Sequence, residues 1–429
     1  MDLWRIRGGA RLEGDCVVQG SKNAALPILA ACLLCPGRVE LLRVPRLRDV
    51  DAALEILRHL GCRAEQEGDR VYIDASRLSG SVIPRSLMEK MRSSVIFMGA
   101  LLARTGQASL SMPGGCRLGK RPIDLHLLAL RELGARIEEA GEEILCRPAL
   151  LRGAEIRLPF PSVGATENAM LAACAARGET RILGAAREPE IVSLQAFLRG
   201  LGARISGAGT DTVTVSGFRP RDSLRFRIPA DRIAGATLAC ACAACGGDVL
   251  LRNCDPRQFS AVLHFLNDAG CVIMQKHDRV RIQAAGRLRA VGPVVTAPYP
   301  GFPTDAQPLL MAALLRAEGE SVFRETIFED RYRQVPALQK LGAQIRVQGR
   351  EARVRGVKRL RGAALEATDL RGGAAMILAG LAAEGETLVR DAGHIRRGYE
   401  DLNGSLRSLG ACLVYEGEEH GIIQNSEAL

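Results

Sequence analysis

The sequence predicts an α/β protein of two domains assembled from six copies of one strand–helix unit. Three observations carry that prediction: six amphipathic helix patterns that run into glycine, six helix patterns that are small and apolar on every side, and alternating strand patterns after both kinds. The first set stops at Gly61, Gly134, Gly202, Gly270, Gly342 and Gly410. Glycine accepts positive φ without a Cβ penalty and so commonly sits just beyond a helix. The stops recur about every 70 residues, a longer period than that of the common solenoids.

The second set spans residues 23–35, 94–103, 166–176, 234–245, 306–315 and 373–383. A helix that is apolar all round belongs in a core. Several are followed by a Gly-led strand, such as Gly37-Arg-Val-Glu-Leu41 and Gly385-Glu-Thr-Leu-Val389. One unit therefore reads strand, buried helix, strand, surface helix, strand, strand. Six buried helices do not share one core comfortably, so three units per domain is the natural grouping. The boundary is expected near Pro220–Arg232, where Arg and Pro concentrate. The opening strand, Asp2–Gln19, precedes the first buried helix as other strands precede theirs, and its pairing with the second domain would make that domain discontinuous.

The chain has 429 residues, 47% of them hydrophobic and 25% charged, which is globular composition and excludes disorder. Aromatics are scarce, and Trp4 is the one tryptophan. A net charge of +10 favours anionic partners such as phosphates, nucleotides or nucleic acid. Nucleic-acid binders pair basic stripes with stacking aromatics, and 4% aromatic content with no basic run makes that class the weaker reading. The opening Met1-Asp2-Leu3-Trp4-Arg5 lacks the layout of a signal peptide. The longest apolar run, residues 24–35, contains Pro27 and falls well short of the ~20 residues of a spanning helix. Thirteen cysteines scattered through apolar stretches suit a reducing compartment, so a cytoplasmic protein without membrane insertion is expected.

Among the cysteines Cys116 stands apart. It follows Pro113-Gly114-Gly115 in what reads as a loop, with Arg117, Lys120 and Arg121 close behind. Neighbouring cations favour thiolate, which makes Cys116 a candidate acid or nucleophile. Cys32/Cys35 and Cys242/Cys245 mimic redox or zinc spacing, but both pairs lie inside apolar helices without histidine and read as packing. Gly20-Ser21-Lys22-Asn23 opens the first buried helix, where a lysine beside free amides forms an anion site. Pro161-Ser162-Val163-Gly164 and Met91-Arg92-Ser93-Ser94 open other buried helices in the same way. In the second half, Thr304-Asp305, Glu329-Asp330-Arg331, Thr368-Asp369-Leu370-Arg371 and His394-Ile395-Arg396-Arg397 place carboxylates and cations at element ends, where sites are built. No HExxH, GxSxG, GxGxxG or Walker pattern is present, so zinc-protease, serine-hydrolase and dinucleotide-fold readings lack support.

Taken in order, these segments resemble the UDP-N-acetylglucosamine enolpyruvyl transferases (1-carboxyvinyltransferases) of bacterial peptidoglycan and cell-wall synthesis. The resemblance covers nearly the whole chain. It rests on Gly20-Ser-Lys-Asn-Ala-Ala-Leu-Pro27, the Cys116 loop with Arg121-Pro-Ile-Asp124-Leu-His126, and Ser162-Val-Gly-Ala-Thr166. Further matches are Arg187-Glu-Pro-Glu190, Gly207-Ala-Gly-Thr210, Phe302-Pro-Thr-Asp305, Thr368-Asp-Leu-Arg371 and Arg397-Gly-Tyr399. The resemblance implies two inside-out α/β barrels with the site in the cleft between them. One domain would be residues 22–229, carrying the Cys116 loop as a lid, and the other 1–21 with 230–429. It implies transfer of the enolpyruvyl group of phosphoenolpyruvate to the sugar 3-hydroxyl with release of phosphate, without metal or organic cofactor; a monomer is expected, although the sequence itself does not reveal the oligomeric state.

The same resemblance assigns the residues. Cys116 is the general acid, able to form a phosphoenolpyruvate adduct and open to the epoxide fosfomycin, and Asp305 is the base beside the sugar hydroxyl. Lys22, Arg121 and Arg397 hold phosphoenolpyruvate, with Asn23 beside them. Arg92, Arg121, Pro122, Ile123, Asp124, Leu125, Ser162, Val163, Gly164, Asp305 and Ile327 contact the nucleotide sugar. Arg331, Asp369 and Arg371 support the cleft. Two positions depart from the family pattern: Ala234 stands where an acidic residue is usual, and Arg396 where Asp is usual. The shikimate 3-phosphate enolpyruvyl transferases are the nearest alternative, and they lack the cysteine lid.

Overall fold

The computed structural model describes residues 2–111, 123–147 and 150–417, without the side chain of Arg92. Among the described residues its strands form six separate four-stranded sheets that share one pattern of parallel and antiparallel pairing. In each, an edge strand runs parallel to its neighbour, and two antiparallel strands complete the sheet. A parallel pair needs a long crossover, and in the units that are continuous in sequence the apolar helix supplies it. Sheet Glu155–Arg157, Thr180–Leu183, Thr212–Phe218, Ala203–Ser206 is one such unit, with helix Val163–Ala173 as its crossover.

All six expected helix stops adopt positive φ, from 90° at Gly410 to 108° at Gly270. The helices before them are Arg48–His59, Asp124–Glu132, Pro189–Gly200, Ser260–Asp268, Val335–Lys340 and Leu402–Ser408. The apolar helices lie in the interior as their composition requires. Lys22–Ala31, Phe97–Thr105 and Val163–Ala173 belong to one core, and Arg232–Cys245, Gln307–Ala313 and Leu370–Leu381 to another. The sheets lie outside the helices, which is the inside-out layering, but each remains its own hydrogen-bonded unit. Close helix approach has a specific cause in the first core. Gly99 N donates to Asn168 Oδ1 at 2.7 Å, and a Cβ at Gly99 would stand 2.4 Å from the Asn168 carbonyl oxygen.

Three details differ from the sequence expectation. The opening segment is two strands, Asp2–Arg7 and Leu12–Val17, in different sheets. Asp2–Arg7 sits between Glu386–Asp391 and Cys412–Glu416, and Leu12–Val17 pairs in parallel with Gly247–Arg252. The Arg- and Pro-rich stretch read as a boundary contains strand Ser223–Arg227, which pairs in parallel with Arg38–Leu42. The strand before the first apolar helix and the strand before the fourth are thus exchanged between the cores. Finally, Met91–Ser94 leads into a 3-10 turn, Arg92–Ile96, without a side-chain cap; Ser94 Oγ instead donates to Met88 O at 3.3 Å. Among the described residues no helix is long and apolar enough to cross a membrane.

Candidate active site

The two chain crossings between the cores run side by side. Ser21 N donates to Pro229 O at 2.8 Å and Asp231 N to Gln19 O at 2.9 Å, with a bridge between Gly20 and Ala230. This brings the starts of two central helices together. Ser21 caps the first, accepting from Ala24 N at 3.3 Å. Asp231 caps the second, its Oδ1 accepting from Ile233 N at 2.8 Å and Ala234 N at 3.0 Å. The other oxygen, Oδ2, accepts from Lys22 N at 3.2 Å, so one carboxylate serves helix starts in both cores. The first helix start was expected to hold an external anion through its amides; Asp231 already occupies the Lys22 amide, which leaves Lys22 its ammonium.

That ammonium meets Asp49, on helix Arg48–His59, at 3.3 Å. The same carboxylate accepts from Arg397 Nε at 2.9 Å and Nη2 at 3.4 Å, from the second core. Asp49 is 3% exposed, against 13% for Lys22 and 39% for Arg397, so the carboxylate lies behind the two cations. Burial pushes its acid strength down, but Lys22 and Arg397 outweigh burial and hold the carboxyl below its usual range.

A second charge cluster is built by the helix starts of the second core. Asp305 lies in the 3-10 turn Thr304–Ala306 and accepts from Arg371 Nε at 3.2 Å, with Arg331 Nη2 at 3.6 Å. Asp369 caps helix Leu370–Leu381 through the amides of Arg371 and Gly372 and stands 3.7 Å from Arg331 Nη1. Both arginines are buried. The Arg371 guanidinium also lies 5.2 Å from the centre of the Tyr399 ring, whose hydroxyl shares a 2.8 Å hydrogen bond with Thr237. Burial disfavours charge on Arg371, yet Tyr399, Asp305 and Asp231 keep it firmly protonated. Asp231 and Tyr399 thereby connect the Lys22 cluster with the Asp305 cluster.

A third set joins the cores. Arg232 Nε donates to both Glu190 oxygens, at 3.0 and 3.3 Å, and the guanidinium lies 5.7 Å from the Tyr299 ring centre. Tyr299 N donates to Glu188 Oε1 at 3.3 Å. Glu167, buried one turn inside helix Val163–Ala173, is pushed well up by burial and by Glu190 and Glu188. Arg232 feels Asp305 as well, so this set borders the second cluster.

The remaining expected residues fall into two groups. Ser162 caps helix Val163–Ala173 by accepting from Ala165 N at 3.4 Å, with Val163 and Gly164 in the first turn. Ile123 precedes helix Asp124–Glu132, which opens on Asp124 and Leu125. His126 draws these two starts together: a Cβ on Gly164 would lie 2.8 Å from its Cε1, and its Nδ1 lies 2.7 Å from Asn168 Nδ2. Asn23 is the second residue of the first helix, and Ile327 N donates to Glu325 Oε1 at 2.8 Å. Cys116, Arg121 and Pro122, like the Arg92 side chain, lie outside the described residues.

The departures prove structural in their surroundings. Ala234 is buried in the first turn capped by Asp231, and Arg396 turns toward Tyr415, 5.9 Å from its ring centre, while Arg397 turns to Asp49. Cys32, Cys35 and Cys242 are buried, and burial pushes the Cys242 and Cys245 thiols up to about 12, as packing residues should be. Asp49 and Asp231 were not singled out from the sequence as site residues. Asp49 looks there like an ordinary acid in the first turn of an amphipathic helix, and Asp231 like an ordinary cap.

The chain is similar over most of its length to known proteins. A family profile described as EPSP synthase (3-phosphoshikimate 1-carboxyvinyltransferase) matches residues 6–406. UDP-N-acetylglucosamine 1-carboxyvinyltransferase 2 of Caldanaerobacter subterraneus subsp. tengcongensis is 46% identical over 414 residues, covering 96% of this chain and 99% of its own. UDP-N-acetylglucosamine 1-carboxyvinyltransferase 1 of Symbiobacterium thermophilum is 47% identical, covering 95% and 94%. Among solved structures, the enolpyruvyl transferase NikO from Streptomyces tendae superposes with a TM-score of 0.86 at 26% identity, covering 96% of this chain and 98% of that one. EPSP synthase from Acinetobacter baumannii shares the fold, with a TM-score of 0.74 at 18% identity and coverage of 97% and 100%.

Proposed function

This chain belongs to the EPSP synthase (3-phosphoshikimate 1-carboxyvinyltransferase) family of enolpyruvyl transferases, and we propose that it transfers the enolpyruvyl group of phosphoenolpyruvate to the 3-hydroxyl of UDP-N-acetylglucosamine, releasing phosphate. One observation carries the choice of acceptor: two relatives bearing that acceptor in their names match 94–99% of their own length at 46–47% identity. The geometry supports the chemistry. An enolpyruvyl donor carries a phosphate and a carboxylate, and Lys22 and Arg397 offer two cations from opposite cores at one point. A hydroxyl must lose its proton as it attacks, and Asp305 is a partly exposed carboxylate fixed between two buried arginines.

In this reading the two cores are two domains, 22–229 and 1–21 with 230–429, which close on the substrates. Ile123 to Leu125 and Ser162 to Gly164, joined through His126, form the nucleotide-sugar side with Arg92, Pro122 and Ile327; Asn23 and Arg121 complete the donor side. The sugar oxygen attacks C2 of phosphoenolpyruvate while Asp305 takes its proton and the Cys116 thiol protonates C3. The tetrahedral ketal then returns a proton from C3 and expels phosphate, which restores the double bond as an enol ether. Arg331, Asp369 and Arg371 act by holding Asp305. Such an enzyme would work in the cytoplasm as a monomer, supplying peptidoglycan precursor.

The test is phosphate release from phosphoenolpyruvate with UDP-N-acetylglucosamine or, in parallel, shikimate 3-phosphate as acceptor. Release with the nucleotide sugar alone is expected; release with shikimate 3-phosphate alone would keep the family and overturn the acceptor. Mass spectrometry after fosfomycin treatment should find the label on Cys116, and a label on another cysteine would remove Cys116 from the mechanism.

A further inference from the structure

We infer that Asp49 is the positioning residue of the phosphoenolpyruvate site, a buried anchor that sets Lys22 and Arg397 at a fixed separation across the cleft. The inference rests on the donor site proposed above and goes beyond it, since Asp49 was not among the site residues read from the sequence. Three features of the structure support it. The carboxylate is almost wholly buried although its helix is amphipathic and places most of its other charges outward. Its only described ion-pair partners are the two cations assigned to the donor. Those partners come from different cores, so among the described residues it is Asp49 that ties the two halves of the anion site directly.

The arrangement leaves the cations able to bind. Asp49 engages Arg397 through Nε and Nη2, and a guanidinium carries further N–H donors; an ammonium has three, of which Asp49 takes one. Because Asp49 is the least exposed of the three, the incoming donor meets the cations and not the carboxylate. Without Asp49 the two like charges would separate and each long side chain would sample other rotamers, so phosphate and carboxylate would no longer find both at once.

The isosteric variant Asp49→Asn tests this in the full-length protein. Turnover per phosphoenolpyruvate (kcat/KM) should fall about 10²-fold, as for a reacting group displaced by about 1 Å, with KM for UDP-N-acetylglucosamine within about twofold of wild type. A general structural defect would move both constants. Asp49→Glu, which keeps the charge, should recover at least a tenth of the wild-type value. In a Lys22→Ala background Asp49→Asn should cost clearly less than in the wild type, because one of the two anchored cations is gone and there is no longer a pair to space; full additivity would overturn the inference. Calorimetric titration with phosphoenolpyruvate alone separates this idea from the proposed reaction. Weaker binding by Asp49→Asn supports the anchor whichever acceptor proves correct. Equal or tighter binding would mean that Asp49 merely competes with the donor for the cations, and would overturn it.

Discussion

Asp231 joins the two cores by one side chain, and a single-atom change isolates that role. Asp231→Asn can keep Oδ1 toward the amides of Ile233 and Ala234, preserving the helix cap, while Nδ2 replaces the oxygen that accepts from Lys22 N at 3.2 Å. A donor would then face a donor in a place where Asp231 is only 2% exposed, so water cannot repair the loss. A hydrogen bond to a charged group contributes about 1.5–3 kcal/mol, which sets the expected destabilisation near 2 kcal/mol. For a unit of this size that lowers the melting temperature by about 4–8 °C. Asp231→Ala also removes the cap and should cost about 1 kcal/mol more. Differential scanning calorimetry gives the shift, and amide hydrogen exchange at Lys22 gives its location. A variant within about 0.5 kcal/mol of wild type, with Lys22 exchange unchanged, would refute the claim that one carboxylate fastens both helix starts.

Three further outcomes follow from the same geometry. His126 is neutral when folded: Asn168 Oδ1 accepts from Gly99, so its Nδ2 must donate to His126 Nδ1, and burial pushes the ring down to about 4. Its folded pKa lies below the unfolded value, so stability is intact above about pH 6.5 and falls by about 1 kcal/mol per unit toward pH 4; His126→Gln should flatten that slope in urea titrations. Gly164→Ala drives a methyl against His126, which cannot retreat because Asn168 holds it at 2.7 Å; a loss of about 1–3 kcal/mol and a raised KM for UDP-N-acetylglucosamine are expected, and unchanged kinetics would remove Gly164 from the sugar side. Arg371→Met removes the 3.2 Å contact to Asp305 and should lower kcat about 10²-fold, while an unchanged kcat would show that Arg371 does not position the carboxylate.

The repeat was legible because it is written in local chemistry: an apolar helix and a glycine stop are each visible within a dozen residues. The exchange of strands was only half legible. Leu12–Val17 and Ser223–Arg227 carry the same alternation as the other edge strands, and nothing local says which sheet each joins. The pairing is decided by where the double crossing at Gly20 and Ala230 sends the chain, a contact between residues about 210 apart. The site divided along the same line. Asp305, Asp369, Arg371 and Arg397 sit at element ends beside turn residues, so their positions suggested function. Asp49 also opens a helix, but as one of two acids in an ordinary amphipathic first turn, and its meaning depends on Arg397 arriving from the far end of the chain.

The net charge of +10 pointed toward an anionic partner but did not locate its site. Among the described site residues each of these cations has a carboxylate partner: Lys22 and Arg397 share Asp49, Arg331 and Arg371 meet Asp305 and Asp369, and Arg232 meets Glu190. Electrostatics gives the reason. Bare cations crowded at a few ångströms would repel by several kcal/mol at an effective dielectric near 20, and flexible side chains would relieve that by moving apart. A buried carboxylate between them cancels the repulsion and fixes the geometry, at the cost of some attraction for a distant anion. In the proposed donor site, selectivity therefore comes from where the positive groups stand when an anion arrives. The surplus charge of the chain lies elsewhere among the described residues or in the Arg117–Arg121 segment. If so, raising the salt concentration should weaken donor binding only modestly, because the buried pairs are poorly screened. A steep salt dependence would instead mean that long-range attraction to exposed lysines and arginines, and not the anchored pair, carries the affinity.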